Sequence, residues 1–418
     1  MKVCVIGQGY IGLPTAILFA KNGCDVVGVD INKDIINSLN ENKITIEEKG
    51  LQELFNEVNS INKYHASLKP EEADVFIITV PTPYNQGDYS CDLSYVLSAC
   101  ESILPIIKKE NTIIIESTIA PLSMKKFIKP FFEKEGYEIG KDLFLAHCPE
   151  RVLPGNLVYE LINNNRIIGG ITDKCAKKAS SAYKQFVKGK IIETNSEVAE
   201  MSKCMENTFR DVNIALANEL VKISSDIGVD ALDVIKIANE HPRVNIHQPG
   251  PGVGGHCLAI DPYFIYALSP NEANLIKLSR DINQSMPTFV STKCDLILKN
   301  HSNEKLTISI FGISYKGNSD DDRESPSYKI INILNKKYNT KIYDPHIPEK
   351  SMKFEESLKD SSLLLILTDH NEFKKLDQEK IIKYMKEPVI FDTKNVIDKE
   401  QLSEKIKLFN FGNIYSLN

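Results

Sequence analysis

The chain is expected to fold as α/β, with two doubly wound parallel-sheet domains joined by a central helical domain. Three observations predict this. Short apolar, β-branched runs alternate with amphipathic stretches over the first ~190 residues, the rhythm of a parallel sheet covered by helices. The same alternation returns after Lys305. Between the two, the hydrophobic period becomes helical. A chain of 418 residues holds two or three domains of the usual size, roughly 100–200 residues each. The expected boundaries are 1–193, 194–300 and 301–418.

Taken in order, VCVIG (3–7), VVGVD (26–30), VFIITV (75–80), TIIIES (112–117) and LFLAHC (143–148) are the strands expected in the first sheet. All are far shorter than the ~18 apolar residues of a membrane span, so their length suits buried strands. A long helix is expected at 196–227 and another around 272–298, separated by the Pro/Gly-rich loop QPGPGVGGHC (248–257). TISIFGI (307–313), KIYDPH (341–346), SLLLILTD (362–369) and VIFDTKN (389–395) make a second, smaller sheet without a glycine fingerprint.

Composition excludes several classes. Fifty basic against 56 acidic residues leave −6, and no Lys/Arg-rich block stands out, so neither nucleic acid nor an anionic membrane is expected as a partner. The start, MKVCVIGQGY, runs into a strand without the features of a secretion signal. Nine scattered cysteines with no C-x-x-C pair fit neither a disulfide framework nor a zinc finger. A reducing cytoplasm is the expected location.

Gly7-Gln8-Gly9-Tyr10-Ile11-Gly12 is G-x-G-x-x-G between the first strand and a helix, the turn that brings backbone and a helix N-terminus to a pyrophosphate. Asp30 ends the second strand 18 residues beyond Gly12, where a carboxylate accepts from an adenosine ribose and repels a 2′-phosphate. This predicts a Rossmann-like domain that takes NAD rather than NADP. Three later strands end in polar sequences, Val80-Pro81-Thr82-Pro83, Glu116-Ser117-Thr118 and His147-Cys148-Pro149-Glu150-Arg151, which are expected to rim the same cleft.

Cys257 closes a loop with four glycines in six residues, a setting in which a thiol is exposed and backbone N–H groups approach a developing oxyanion. On the helix at 196–227, Lys203, Asn207 and Arg210 fall within about 60° of one another. They form a polar stripe able to present an amine, an amide and a guanidinium. Val198, Met201, Met205, Phe209, Val212 and Leu216 fall opposite and are expected to pack. His241, His247 and His256 match no common metal spacing, and no metal is assigned. His256 adjoins Cys257 and would suit a Cys–His pair, although chain neighbours often point apart.

With GQGYIGLP, VPTP, ESTIAP, CPERVLPG, EMSKCMENTFRDVNIALANEL, HPRVNIHQPGPGVGGHCLAIDPYF and YKGNSDDDRESPS in this order, the sequence resembles the UDP-glucose/GDP-mannose dehydrogenase family over nearly its whole length. The branch it looks most like oxidises UDP-N-acetyl-D-mannosamine for surface polysaccharides such as capsule. The resemblance implies an NAD-binding domain, a helical dimer domain and a C-terminal UDP-sugar domain. It implies oxidation of a C6 alcohol to a carboxylate with two NAD, through an aldehyde, with Cys257 as nucleophile. Lys203 and Asn207 would stabilise the oxyanion, and Asp261 would accept or relay protons. Ile11, Asp30, Thr82, Thr118 and Arg323 would contact NAD. Glu150, Arg151, Val152, Lys203, Asn207, Arg210, Gly254, Tyr315 and Lys316 would contact the UDP-sugar, with His241 and Arg243 reaching in from the second subunit of a homodimer.

Pro154 stands where the UDP-glucose branch has an acidic residue, and HPRVN lies closer to the nucleophile than in the animal enzymes; both favour an N-acetylated sugar. UDP-N-acetyl-D-glucosamine, the galactosamine derivative and UDP-glucose stay open as substrates. Two other readings compete: a two-electron dehydrogenase or epimerase that has no need of Cys257, and a silent NAD-binding scaffold. The presence of both Lys203 and Cys257 stands against the scaffold.

Overall fold

A computed structural model describes residues 1–46, 48–152, 155–299 and 306–417. The chain forms two compact units, Met1–Glu206 with Tyr263–Pro270, and Asn207–Pro262 with Asn271–Asn418. The expected boundary between 300 and 301 falls outside the described residues.

The first unit is built on an eight-stranded sheet: β1 (Lys2–Ile6), β2 (Asp25–Val29), β3 (Tyr64–Ser67), β4 (Val75–Ile78), β5 (Thr112–Ile115), β6 (Phe144–His147), β7 (Arg166–Gly170) and β8 (Ile191–Asn195). The order is β3-β2-β1-β4-β5-β6-β7-β8. This is a doubly wound sheet whose strand order reverses between β1 and β4, where ligands sit beyond the carboxyl ends. The five expected strands are present, and β3, β7 and β8 add to them. One difference from an all-parallel sheet is that β7 runs antiparallel to β6, Ala146 facing Gly170 and His147 facing Gly169. The helix Gly12–Lys21 is buried at every position but its last, because its residues pack into the core beside Val3, Val5, Val26 and Phe55.

The second unit carries a five-stranded sheet of β9 (Thr307–Phe311), β10 (Asn339–Tyr343), β11 (Leu363–Ile366), β12 (Val389–Asp392) and β13 (Lys407–Asn410), all parallel, in the order β10-β9-β11-β12-β13. β13 is the strand not anticipated. Alternate residues of β11 point to the two faces, Leu363 and Leu365 into one apolar cluster and Leu364 and Ile366 into the other.

The helix Ser196–Ile227 spans 32 residues and Asn274–Leu298 spans 25. The first differs from expectation in which face it buries. Glu200, Cys204, Asn207, Thr208, Asp211, Asn218 and Ser224 are buried, whereas Val198, Met201, Met205, Phe209, Leu216, Ile223 and Ile227 are exposed. Its large apolar residues are shown, while of the expected polar stripe Asn207 is buried, Lys203 half-buried and Arg210 exposed. Among the described residues, no helix is long and apolar enough to cross a membrane.

Candidate active site

The turn after β1 is shaped by close approach. A Cβ on Gly12 would lie 1.9 Å from the Gly7 carbonyl oxygen, so only glycine lets the first helix begin this near the turn. Gly9 has open space where its Cβ would be, which leaves room for a phosphate in front of the helix. Asp30 follows β2; its Oδ2 accepts from the Gln8 N–H and its Oδ1 from the Asn32 N–H, both at 2.9 Å. The glycine turn and the Asp30 carboxylate are therefore tied together. Gln8 is itself buried, with its Oε1 accepting from Tyr64 Oη at 3.0 Å. Ile11, half-buried, precedes the helix. These residues fit a dinucleotide: a phosphate cradle, a helix N-terminus and a fixed carboxylate.

The loops after β4, β5 and β6 meet as the sheet order requires. Thr82 Oγ1 donates to the Thr118 carbonyl at 2.6 Å, and Ser117 Oγ donates to the Val80 carbonyl at 2.6 Å. Behind them lies a charge cluster that the sequence did not reveal. Arg166, fully buried, reaches Glu116 with Nη1 at 2.7 Å and Glu150 with Nη2 at 2.5 Å. Its guanidinium also stacks 4.4 Å from the Tyr183 ring. Burial pushes the Glu116 carboxyl up to about 7, against the pull of the Arg166 charge.

Glu150 is thus held by Arg166 and by the Arg151 N–H, and Arg151 forks onto Glu206 at 2.6 and 3.0 Å. Val152 packs on the core, and Pro154 lies outside the described residues. His147 donates from Nδ1 to the Ile115 carbonyl at 2.9 Å, which leaves Nε2 a buried acceptor with no hydrogen bond. Burial, with a smaller push from the nearby Lys203 charge, lowers its pKa to about 3. It is a neutral imidazole at physiological pH. Lys203 itself is half-buried on its helix.

In the second unit, the Cys257 carbonyl accepts from the Ile260 and Asp261 N–H groups at 3.0 and 2.9 Å, so the exposed thiol sits on the turn that opens the helix Asp261–Leu268. Asp261 is 2% exposed, and its Oδ2 accepts from Asn207 Nδ2 at 2.6 Å. One of the two amide N–H groups of Asn207 remains for another acceptor. Gly255 has φ +83°, and a Cβ there would lie 2.8 Å from the Tyr315 ring; Gly254 presses as closely on the Glu324 carbonyl. The glycine loop is packed down on the segment 315–326.

The His256 Nε2 lies 3.9 Å from Asp321 Oδ2, and burial lowers its pKa with help from Arg323. Arg323 is exposed and forks onto Asp321 at 2.7 and 2.8 Å. Lys316 and Arg210 are exposed. His241 and Arg243 are exposed too, on a loop held firmly because the Asn239 side chain bonds both N–H and C=O of Ile246 and Asn213 bonds Asn245 and His247.

The sequence reading missed Arg166, Asn213, Asn218, Arg280 and Asn283. The one signal available was the run of amide and acid residues at helical spacing, 207, 211 and 218, within a single helix.

Models of the UDP-glucose/GDP-mannose dehydrogenase family match three stretches of the chain: the NAD binding domain at 1–187, the central domain at 197–285 and the UDP binding domain at 309–399. A UDP-N-acetyl-D-mannosamine dehydrogenase of Methanococcus vannielii is 47% identical, covering 98% of this chain and 97% of its own. A solved UDP-N-acetyl-mannosamine dehydrogenase from S. aureus superposes with a TM-score of 0.93 at 53% identity, over all of both chains. An NDP-N-acetyl-D-galactosaminuronic acid dehydrogenase of Ralstonia nicotianae is 38% identical, covering 96% of this chain and 97% of its own.

Proposed function

This chain belongs to the UDP-glucose/GDP-mannose dehydrogenase family, and we propose that it oxidises the C6 alcohol of UDP-N-acetyl-D-mannosamine to the carboxylate in four electrons. The substrate assignment rests on full-length identities of 47% and 53% to enzymes of that name, against 38% to a galactosaminuronate relative. The chemical assignment rests on one observation: an exposed thiol on a constrained glycine loop, four residues before a buried carboxylate paired with an amide. An aldehyde resists a second hydride loss until a nucleophile adds to it, and a thiolate is the side chain suited to that.

NAD, when bound, accepts one hydride in each of two rounds. In the first, the Lys203 ammonium and the free N–H of Asn207 stabilise negative charge on the C6 oxygen as the alcohol proton passes by way of Asp261 to solvent. Cys257 then adds its sulfur to the aldehyde carbon, forming a thiohemiacetal. Loss of the second hydride leaves a thioester. Water cleaves the C–S bond, returning the thiol and giving the carboxylate, with Asp261 taking a proton from that water. One alcohol, one water and two NAD give one carboxylate, two NADH and three protons.

Glu150 fits an orienting role better than a base, since both its oxygens are engaged. Ile11, Asp30, Thr82, Thr118 and Arg323 serve the cofactor. Val152, Arg151, Arg210, Gly254, Tyr315 and Lys316 serve the UDP-sugar. His241 and Arg243, exposed on a rigid loop, complete the site of a second copy. The three-part division at 193/194 and 300/301 describes NAD, dimer and UDP-sugar parts, and the product feeds a surface polysaccharide such as capsule. Nine scattered cysteines with no C-x-x-C pair suit a reducing cytoplasm.

Purified protein incubated with NAD and, separately, UDP-N-acetyl-D-mannosamine, UDP-N-acetyl-D-glucosamine and UDP-glucose tests the substrate. Turnover is expected to be at least tenfold faster with the mannosamine sugar, a discrimination of ~1.4 kcal/mol. A faster rate with either other sugar overturns the assignment and leaves the chemistry standing.

A further inference from the structure

We propose that Asn218, Asn283, Asp211 and Arg280 form a buried polar bracket holding both ends of the thiol loop, and that Asn218 and Arg280 are positioning residues for the second oxidation. This rests on the reading of Cys257 given above. Among the described residues, residues 248–256 make no backbone-to-backbone hydrogen bond. Four of its nine residues are glycines, which bring no side chain to lock it. Its shape must be imposed from outside.

The bracket supplies what the backbone lacks. At the entry, the Gly250 N–H donates to Asn218 Oδ1 at 2.9 Å. Asn218 Nδ2 donates to Asn283 Oδ1 at 2.9 Å, and Asn283 Nδ2 donates to Asp211 Oδ1 at 2.8 Å and to its carbonyl at 3.0 Å. Arg280 Nη1 meets Asp211 Oδ1 at 2.6 Å and lies 3.5 Å from the Leu258 carbonyl, one residue past the thiol. The relay thus runs from seven residues before Cys257 to one after it.

All four side chains are at most 3% exposed. Burying such groups is unfavourable unless each is satisfied, and apolar residues would join two helices at lower cost. Asp211 and Asn218 lie two turns apart on the helix Ser196–Ile227, and Arg280 and Asn283 one turn apart on Asn274–Leu298, so two rigid helices set the loop ends. A nucleophile misplaced by 1 Å loses on the order of 10²-fold in rate. The first hydride loss does not involve the thiol and does not share that sensitivity.

The test uses full-length Asn218→Ala and Arg280→Lys, the second keeping the charge in case the first folds poorly. In single turnover with UDP-N-acetyl-D-mannosamine, the second NADH is expected about tenfold slower, the loss of one hydrogen bond, while the first changes less than about threefold. Hydrogen exchange of peptides covering 248–260 is expected to accelerate about tenfold, with both helices unchanged. Equal slowing of both NADH equivalents, or loop exchange that matches the unmodified protein, overturns the proposal. If the unmodified protein makes no NADH, the functional reading fails while the exchange result still decides the bracket.

Discussion

Asp30 is proposed to serve two ends at once. Its oxygens accept the Gln8 and Asn32 N–H groups, and the proposed role of the same carboxylate is to receive an adenosine ribose. Asp30→Ala is expected to raise KM for NAD about tenfold or more, the cost of a charge-assisted hydrogen bond, and to narrow the preference over NADP. Initial rates with both cofactors measure this; an unchanged ratio of the two KM values counts against the assigned role. At this scale the close approach at Gly12, the place of Asp30 after β2 and the exposure of Cys257 were legible, because local sequence carries each: a glycine turn, a strand end, an unusual loop. Arg166 and Asn218 were not, because a buried polar residue is defined by partners 16 to 65 positions away, as Arg166 is by Glu150 and Asn218 by Asn283. The place of Glu150 after β6 was legible, while its commitment to Arg166 was not.

Among the elements, the helix Ser196–Ile227 is where expectation and structure part. Its limits matched the periodicity, yet its apolar stripe is exposed, and a row of polar residues including Asn207, Asp211 and Asn218 is buried. The period of hydrophobicity reports that two faces differ; it does not report which one the chain covers. Seven large apolar side chains in phase over eight turns fit a second copy of the chain, since burying each contributes about 1.5–3 kcal/mol. Phe209, 60% exposed, lies at the middle of that stripe. Phe209→Glu is expected to convert a dimer to a monomer in sedimentation and to cut turnover at least tenfold if His241 and Arg243 act across the dimer; a dimer that survives the substitution contradicts this role for the face. The strands that escaped notice carry little apolar signal: RIIGG, IIETN and KLFN hold only two adjacent large apolar residues each, and YHAS alternates over just four positions.

The molecule as a whole repeats one idea, a parallel sheet whose carboxyl ends carry polar loops, once in each unit. In the first unit those loops carry the glycine turn, Asp30, Thr82 and Thr118; in the second, Tyr315, Lys316 and Arg323 follow β9. That division was readable because alternation of strand and helix survives over long stretches, and because the glycine fingerprint marks only one of the two sheets. The central claim is that Cys257 carries the second of two oxidations at one carbon. The NADH formed per UDP-N-acetyl-D-mannosamine consumed tests it most directly, measured for the unmodified protein and for Cys257→Ala. The account predicts two for the first and no more than one for the second; two NADH from the variant would contradict it.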